Sequence, residues 1–276
     1  MQLHRSSGVL MHVSSLYGSD SIGGFGQEAR EFIDFLADCG FGWWQVLPFC
    51  MSDEYNSPYK SFSAFGGNPY FVDIRRLREE GLLSAAEVEA VRETTPFSAE
   101  YGYLYRTRLD LLRTDAAERA RVAACLTDNP YLAQFCDFMA RRRANGDLPW
   151  YRWQDAAARD EQEYEAWGFI QYRFMSQWQA IHDYAAHRGV KILGDMPIYV
   201  SYDSCDVFAN REQFLLDAAG APTAVAGCPP DYFARDGQLW GNPLYDWKRM
   251  EQDGYAWWRA RMRHMLSVFD GVRIDH

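Results

Sequence analysis

Residues 164–195 read YEAWGFIQYRFMSQWQAIHDYAAHRGVKILGD, a long helical pattern followed by a short apolar run. Large apolar side chains recur in it at intervals of three or four residues, the spacing of one buried helix face: Trp167, Ile170, Phe174, Trp178 and Ile181. This pattern predicts a core helix over 164–187. The run 190–193 then predicts a buried strand that ends at Gly194 and Asp195.

Three other short apolar runs lie next to helical patterns along the sequence. Strands are predicted at 8–13, before the helical pattern of 27–39, at 42–47, and at 272–274, after the helical pattern of 255–269. Four strands separated by helices favour a parallel α/β sheet or barrel, because each crossover returns the chain to a parallel neighbour. No glycine-rich phosphate motif follows the first strand, so a dinucleotide fold is disfavoured and a barrel is predicted.

Two segments interrupt this alternation. Residues 75–160 are mainly helical in pattern and charged, which predicts a helical insertion. Residues 197–246 are rich in turn-forming sequence such as Pro229-Pro230, which predicts a loop-rich insertion. We therefore assign 1–74 and 161–276 to the barrel, with the loop-rich insertion inside its second part.

Composition and charge limit the possible partners and location. The 276 residues carry 28 Lys and Arg against 38 Asp and Glu, and a net charge of -10 repels phosphate backbones and anionic lipid surfaces. We expect neither a nucleic-acid nor a membrane partner. The six cysteines form no C-x-x-C pair and the start lacks a signal-peptide pattern, so a cytoplasmic location is expected. The histidines show no metal-ligand spacing, and no metal is expected.

Two charged residues of the last predicted strand share one face. Arg273 and Asp275 are two positions apart, so both would face the barrel mouth while Ile274 points toward the covering helices. Catalytic residues of barrel enzymes lie at this end of the strands, and a neighbouring guanidinium keeps a carboxylate ionised. Asp275 is therefore a candidate nucleophile, and Asp195 a second carboxylate at the same mouth. A structural ion pair is the alternative.

Aromatic residues are concentrated in loops beside Pro and Gly. Tyr59 follows Ser57-Pro58, Tyr232 and Phe233 follow Pro230-Asp231, and Trp240 lies between Leu239 and Gly241-Asn242. Rings on a stiff backbone suit the C–H face of a pyranose, while carboxylates and amides suit its hydroxyls. Each ring alone could be packing. Their coincidence in three loops favours a sugar site.

Six motifs together resemble the 4-alpha-glucanotransferases, also called amylomaltases or disproportionating enzymes, glycoside hydrolase family 77. They are SGVLMHVSSL (7–16), NSPY (56–59) with SFSAFGGNPYFVD (61–73), GDMPIYVSYDSCDVF (194–208), VAGCPPDYF (225–233), GQLWGNPLY (237–245) and VRIDH (272–276). The resemblance implies an α/β fold that is the first half of a (β/α)8 TIM-type barrel. It implies transfer of α-1,4-glucan segments between maltooligosaccharides with retention of configuration.

The resemblance also implies roles for individual residues. Asp275 would be the nucleophile, with Arg273 and His276 beside the bound sugar. Asp195, Ser57 and Tyr59 would line the donor side. Asp231, Tyr232 and Phe233 would form a lid, and Trp240 and Asn242 would lie on the acceptor path. The substrates would be maltooligosaccharides and other α-1,4-glucans, and no metal or organic cofactor is implied.

Members of the family continue past the position of His276. Their acid/base carboxyl lies in that further part, and a retaining glycosidase needs two carboxyls about 5 Å apart. We therefore expect residues 1–276 alone to be inactive, and to aggregate through unpaired strand edges. An α-glucan hydrolase and a noncatalytic glucan-binding protein are the alternative functions.

Overall fold

A small parallel β-sheet lies at the centre of the fold. The computed structural model describes residues 5–18, 22–51, 56–92, 98–112, 118–153, 158–232 and 234–275. Within these ranges the strands are β1 (Gly8–Leu10), β2 (Trp43–Gln45), β3 (Lys191–Pro197), β4 (Val225–Cys228), β5 (Gln238–Pro243) and β6 (Gly271–Asp275). The helices are α1 (Gln27–Asp38), α2 (Ile74–Glu79), α3 (Ala85–Ala90), α4 (Tyr101–Leu111), α5 (Arg119–Asp128), α6 (Pro130–Ala144), α7 (Glu161–His187), α8 (Cys205–Ala209), α9 (Trp247–Gln252) and α10 (Ala256–Val268).

The four predicted strands form one sheet in the order β1-β2-β3-β6, and every neighbouring pair is parallel. The predicted α/β fold is confirmed. Strands β1 and β2 are shorter than expected, whereas β3 continues through Asp195 to Pro197. This extension pairs with the whole of β6, because Leu193 to Pro197 lie opposite Gly271 to Asp275.

Helix α7 covers one face of the sheet and supplies much of the core. It begins three residues before the predicted start because Asp160 caps it, accepting hydrogen bonds from the amides of Gln162 and Glu163. Trp178 is 2 % exposed and donates through Nε1 to the Val268 carbonyl at 2.9 Å. Its indole contacts a cluster of buried phenylalanine rings: Phe25, Phe49 and Phe269. The predicted helix face is therefore the core face.

The described part of 75–160 contains the helices α2 to α6, of which α2 begins at Ile74, and one 3-10 turn at Trp150–Arg152. It is joined to the segment after β3 by charged and polar contacts. Arg142 forms an ion pair with Asp203, and Asp203 also accepts a hydrogen bond from the Trp150 amide at 3.1 Å. Asp203 therefore does not cap α8; Ser204 does, accepting from the Val207 amide.

The segment 197–246 contains regular structure that the sequence reading missed. Strands β4 and β5 form an antiparallel hairpin with an irregularity between Val225 and Gly227. A Cβ at Gly227 would lie 2.3 Å from the Gln238 carbonyl oxygen, so only glycine allows the strands this close. The irregularity and the glycines break the two-residue alternation by which a strand is recognised.

One prediction for β6 is wrong. Ile274 does not face covering helices; it is 48 % exposed, as Leu10 on β1 is at 54 %. Strands β1 and β6 are the outer strands of the described sheet, and no described helix follows β6. The expected aggregation and inactivity of residues 1–276 stay predictions. No described helix combines the length and apolar character needed to cross a membrane.

Candidate active site

The carboxyl ends of β3 and β6 place charged residues side by side. Asp195 lies directly opposite Arg273 in the parallel register, and Pro197 lies opposite Asp275. Gly194 lets β3 pass close to the core, because a Cβ there would lie 2.2 Å from the Phe269 ring. The glycine before Asp195 is thus explained by packing.

Arg273 joins the two carboxylates. Its Nη1 donates to both carboxylate oxygens of Asp195 at 2.8 Å, and its Nη2 donates to Oδ1 of Asp275. The Asp195 side chain is fully buried, whereas that of Asp275 keeps 15 % exposure. A guanidinium that bonds to both oxygens of a buried carboxylate fixes its position and offsets the loss of its hydration. The predicted pairing of Arg273 with Asp275 is present, and the bond to Asp195 is a further feature.

Tyr59 completes the environment of Asp195. Its hydroxyl donates to Oδ2 of Asp195 at 2.7 Å, across 136 residues of sequence. Burial, together with the hydrogen bond and negative charge of Asp195, raises the pKa of Tyr59 to about 12. The phenol therefore stays protonated near neutral pH and remains a donor. Ser57 shapes this turn, since its Oγ accepts from the Tyr59 amide at 3.4 Å.

An open cleft of about 480 Å³ adjoins this network. Its lining contains five predicted site residues, Ser57, Tyr59, Trp240, Asn242 and Asp275, and five others, Lys60, Pro197, Ile198, Tyr199 and Gln238. Its size lies within the usual range of about 300–1,000 Å³ for small-molecule sites. Its rings, amides and carboxylate suit a ligand with both C–H faces and hydroxyls.

The hairpin side of the cleft carries the predicted acceptor residues. The Trp240 ring lies 6.5 Å from that of Tyr199, and its Nε1 donates to Gln238 Oε1 at 3.1 Å. Asn242 is 8 % exposed and donates through Nδ2 to the Val200 carbonyl at 2.8 Å. Asn242 thus also holds the hairpin to the segment after β3. Sequence reasoning missed Tyr199 although it lies in the motif after Asp195.

Two of the three predicted lid residues, Asp231 and Tyr232, lie at the turn of the hairpin and do not line the cleft. Asp231 accepts a hydrogen bond from the Ala234 amide at 2.7 Å, which closes the turn. Tyr232 is 96 % exposed. Phe233 and His276 lie outside the described residues.

All six cysteines fall within the described ranges and are free thiols. In the same ranges, no three His, Cys, Asp or Glu side chains are grouped to hold a metal ion.

A parallel α/β sheet with a guanidinium between two carboxylates at its carboxyl edge, beside an aromatic cleft, is the arrangement of a half-barrel with an active-site mouth. The family model described as 4-alpha-glucanotransferase matches residues 11–276. The chain belongs to this family.

Relatives and solved structures agree with this assignment. The chain is 41 % identical to a 4-alpha-glucanotransferase of Streptococcus pneumoniae, covering 99 % of this chain and 58 % of the relative. It is 39 % identical to that of Thermus thermophilus, covering 100 % and 59 %. The amylomaltase of Streptococcus agalactiae in complex with acarbose matches with a TM-score of 0.92 and 34 % identity, over 99 % of this chain and 59 % of that one. The chain thus spans somewhat under three fifths of these relatives.

The hydrogen bonds between Arg273 and the buried Asp195 predict that replacing Arg273 lowers the free energy of unfolding. Arg273→Met would leave the buried Asp195 carboxylate with Tyr59 as its one remaining donor among the contacts described above. We expect a loss of about 2–3 kcal/mol in the free energy of unfolding, measured by urea denaturation. Arg76→Met is the control, since it removes an exposed ion pair with Glu80 and should cost below about 1 kcal/mol. Equal losses in the two variants would show that Asp195 does not depend on Arg273.

Proposed function

We propose that the protein is a 4-alpha-glucanotransferase that moves α-1,4-glucan segments between maltooligosaccharides by a retaining double displacement. The observation that carries the proposal is the placement of Asp275. This carboxylate lines the cleft, and Arg273 links it to the buried Asp195. Family membership supports the same reaction.

Asp275 is proposed as the nucleophile. Its partial exposure lets an oxygen reach the anomeric carbon, while the hydrogen bond from Arg273 orients the carboxylate at the edge of the cleft. A bond forms between the Asp275 oxygen and the anomeric carbon as the glycosidic C–O bond breaks, and the leaving oxygen takes a proton from an acid. A sugar 4-hydroxyl then attacks the glycosyl-enzyme, its proton returns to the conjugate base of that acid, and the ester bond to Asp275 breaks as the new α-1,4 bond forms.

Asp195 is poorly suited to be that acid. It accepts two hydrogen bonds from Arg273 and one from Tyr59, and its fully buried side chain does not line the cleft. We assign Ser57 and Tyr59, which line the cleft, to the donor-sugar side, where they would hold sugar hydroxyls. The buried Asp195 would act on that side through its hydrogen bond with Tyr59. The mechanism therefore requires a carboxylic acid other than Asp195.

The acceptor side is proposed to consist of Trp240, Tyr199 and Asn242. Indole and phenol faces there would give an incoming sugar a surface that a water molecule cannot use, which favours transfer over hydrolysis. Asp231 and Tyr232, with Phe233, would close over bound glucan from the hairpin turn. His276 is proposed to contact the sugar beside Arg273.

We also propose that the protein is cytoplasmic and has neither nucleic acid nor membrane as a partner. Six free thiols support a cytoplasmic location. The net charge of -10 disfavours nucleic-acid and anionic membrane partners. An α-glucan hydrolase would share the glycosyl-enzyme, and a noncatalytic binding protein would share the cleft, so product analysis distinguishes the three.

The first test removes the nucleophile in the full-length product of the gene. Asp275→Asn keeps the shape of the side chain but cannot form the glycosyl ester, so disproportionation of maltotriose should fall by several orders of magnitude while glucan binding remains. Asp270→Asn is the control. Asp270 directly precedes β6, accepts a hydrogen bond from the Ile192 amide and does not line the cleft, so this variant should keep activity within about twofold. A near-normal rate for Asp275→Asn would refute the assignment.

The second test separates transfer from hydrolysis. Trp240→Ala and Tyr232→Ala should each raise the number of reducing ends formed per bond broken, because water then competes better with the acceptor sugar. Product analysis by chromatography measures this ratio. Tyr17→Ala is the control, since Tyr17 is an exposed ring that does not line the cleft. The same ratio in all three variants and the parent would show that neither Trp240 nor Tyr232 favours transfer over hydrolysis.

A further inference from the structure

Two walls of the cleft, besides its hairpin side, come from distant segments. One wall is the turn carrying Ser57, Tyr59 and Lys60, and the other is the stretch Pro197 to Tyr199 after β3. The first wall belongs to no helix or strand, and only Pro197 of the second wall lies in β3, so contacts behind each wall help to fix its place. Two buried charged residues, Asp206 and Arg261, supply such contacts.

Asp206 holds the first wall. Its Oδ2 accepts from the Ala64 amide at 2.7 Å, five residues after Tyr59. Two neighbouring bonds join the same segments: the Cys205 amide donates to the Phe62 carbonyl at 2.8 Å, and the Ser61 amide donates to Ser201 Oγ at 3.1 Å. Asp206 is the charged member of this set and is 2 % exposed.

Arg261 holds the second wall. Its Nη2 donates to the Pro197 carbonyl at 2.5 Å and its Nη1 to the Ile198 carbonyl at 3.1 Å. Tyr245 adds a bond to the same Ile198 carbonyl at 2.8 Å. The guanidinium lies 5.4 Å and 5.2 Å from the ring centroids of Trp257 and Trp258, and Arg261 is 2 % exposed.

The two charges also stabilise one another. Arg261 attracts Asp206 electrostatically, although no direct ion pair joins them. An isolated buried charge is costly, so each residue reduces the cost of burying the other. Loss of either charge would therefore disturb both walls.

We propose that Asp206 and Arg261 are positioning residues that set the separation of the two walls of the cleft and so its affinity for glucan. The choice of glucan as ligand rests on the proposed function, whereas the positioning itself rests on the contacts. Neither residue lines the cleft, so each acts through the backbone that it holds.

The charge of Asp206 makes the proposal testable by pH. Burial, opposed by the Ala64 amide and Arg261, raises the pKa of Asp206 to about 6. Besides Arg261, the ionisable groups that interact with it are thiols and phenols whose pKa values are raised mainly by burial: Cys50, Cys205, Tyr131 and Tyr245. Burial lowers the pKa of His264, beside Phe65, to about 4. Among these groups, Asp206 is the one that changes charge near pH 6.

The direction in which glucan affinity changes with pH distinguishes a positioning role of Asp206 from a purely structural one. The folded chain binds the Asp206 proton more tightly than the unfolded chain, so this residue contributes more stability as pH falls from about 7 to 4. Protonation replaces a charge-assisted hydrogen bond to Ala64 with a weaker neutral one. Affinity should therefore fall over the range in which this contribution to stability rises. If Asp206 had a merely structural role, glucan affinity and folding stability would change in the same direction with pH.

The experiment compares Asp206→Asn with Asp203→Asn, which removes a carboxylate three residues earlier that binds Arg142 and not a cleft wall. At pH 7.5, Asp206→Asn should speed hydrogen exchange of the amides in 61–67 and weaken maltoheptaose binding about threefold to tenfold by calorimetry. At pH 5 parent and variant should bind alike, because the parent is then mainly protonated. Asp203→Asn should keep the exchange rates of 61–67 and the pH dependence of the parent.

Exchange rates in Asp206→Asn equal to those of the parent would overturn the proposal, whatever the binding result. Faster exchange with unchanged affinity, in a parent that binds maltoheptaose, would also overturn it. A parent that binds no glucan would count against the proposed function instead, and the exchange comparison would still decide whether Asp206 positions the wall.

Discussion

The hydrogen bonds that Arg273 donates to the carboxylates of Asp195 and Asp275 are the interaction on which the rest of the site depends. Asp195 is fully buried at the end of β3, and a bare carboxylate there would carry a large desolvation cost. Two hydrogen bonds from Arg273 and one from Tyr59 offset that cost. The same guanidinium then orients Asp275 at the edge of the cleft. One cation thereby joins the core of the sheet to the proposed reacting group.

This constraint explains several features of the fold. Strand β3 must extend to Pro197 so that Asp195 and Arg273 lie opposite each other, and Gly194 lets that strand pass the Phe269 ring. The loop after β2 must fold back so that Tyr59 reaches Asp195. Buried contacts from α8 and α10 then hold the loop and the stretch after β3. The cleft is thus formed by distant segments that converge on one register of two parallel strands.

Sequence periodicity predicted the parts of this structure that depend on local pattern. The core helix, the four parallel strands and the shared face of Arg273 and Asp275 are of this kind. It could not predict the bond between Tyr59 and Asp195, since 136 residues separate them and neither has a local signal for the other. The hairpin was missed because glycines and a bulge interrupt the alternation of its side chains. The exposure of Ile274 could not be predicted, because alternation shows which face of the strand a side chain is on but not whether another element covers that face.

The central claim is that Asp275 is the group that bonds to the sugar, and a trapped glycosyl-enzyme tests it most directly. A fluorinated glucosyl fluoride is suitable because fluoride leaves without needing a proton, so the test does not depend on the acid. After incubation and protease digestion, mass spectrometry locates the label. The account predicts one sugar attached to Asp275 and none in Asp275→Asn. A label on Asp195, or an unchanged label in Asp275→Asn, would contradict it.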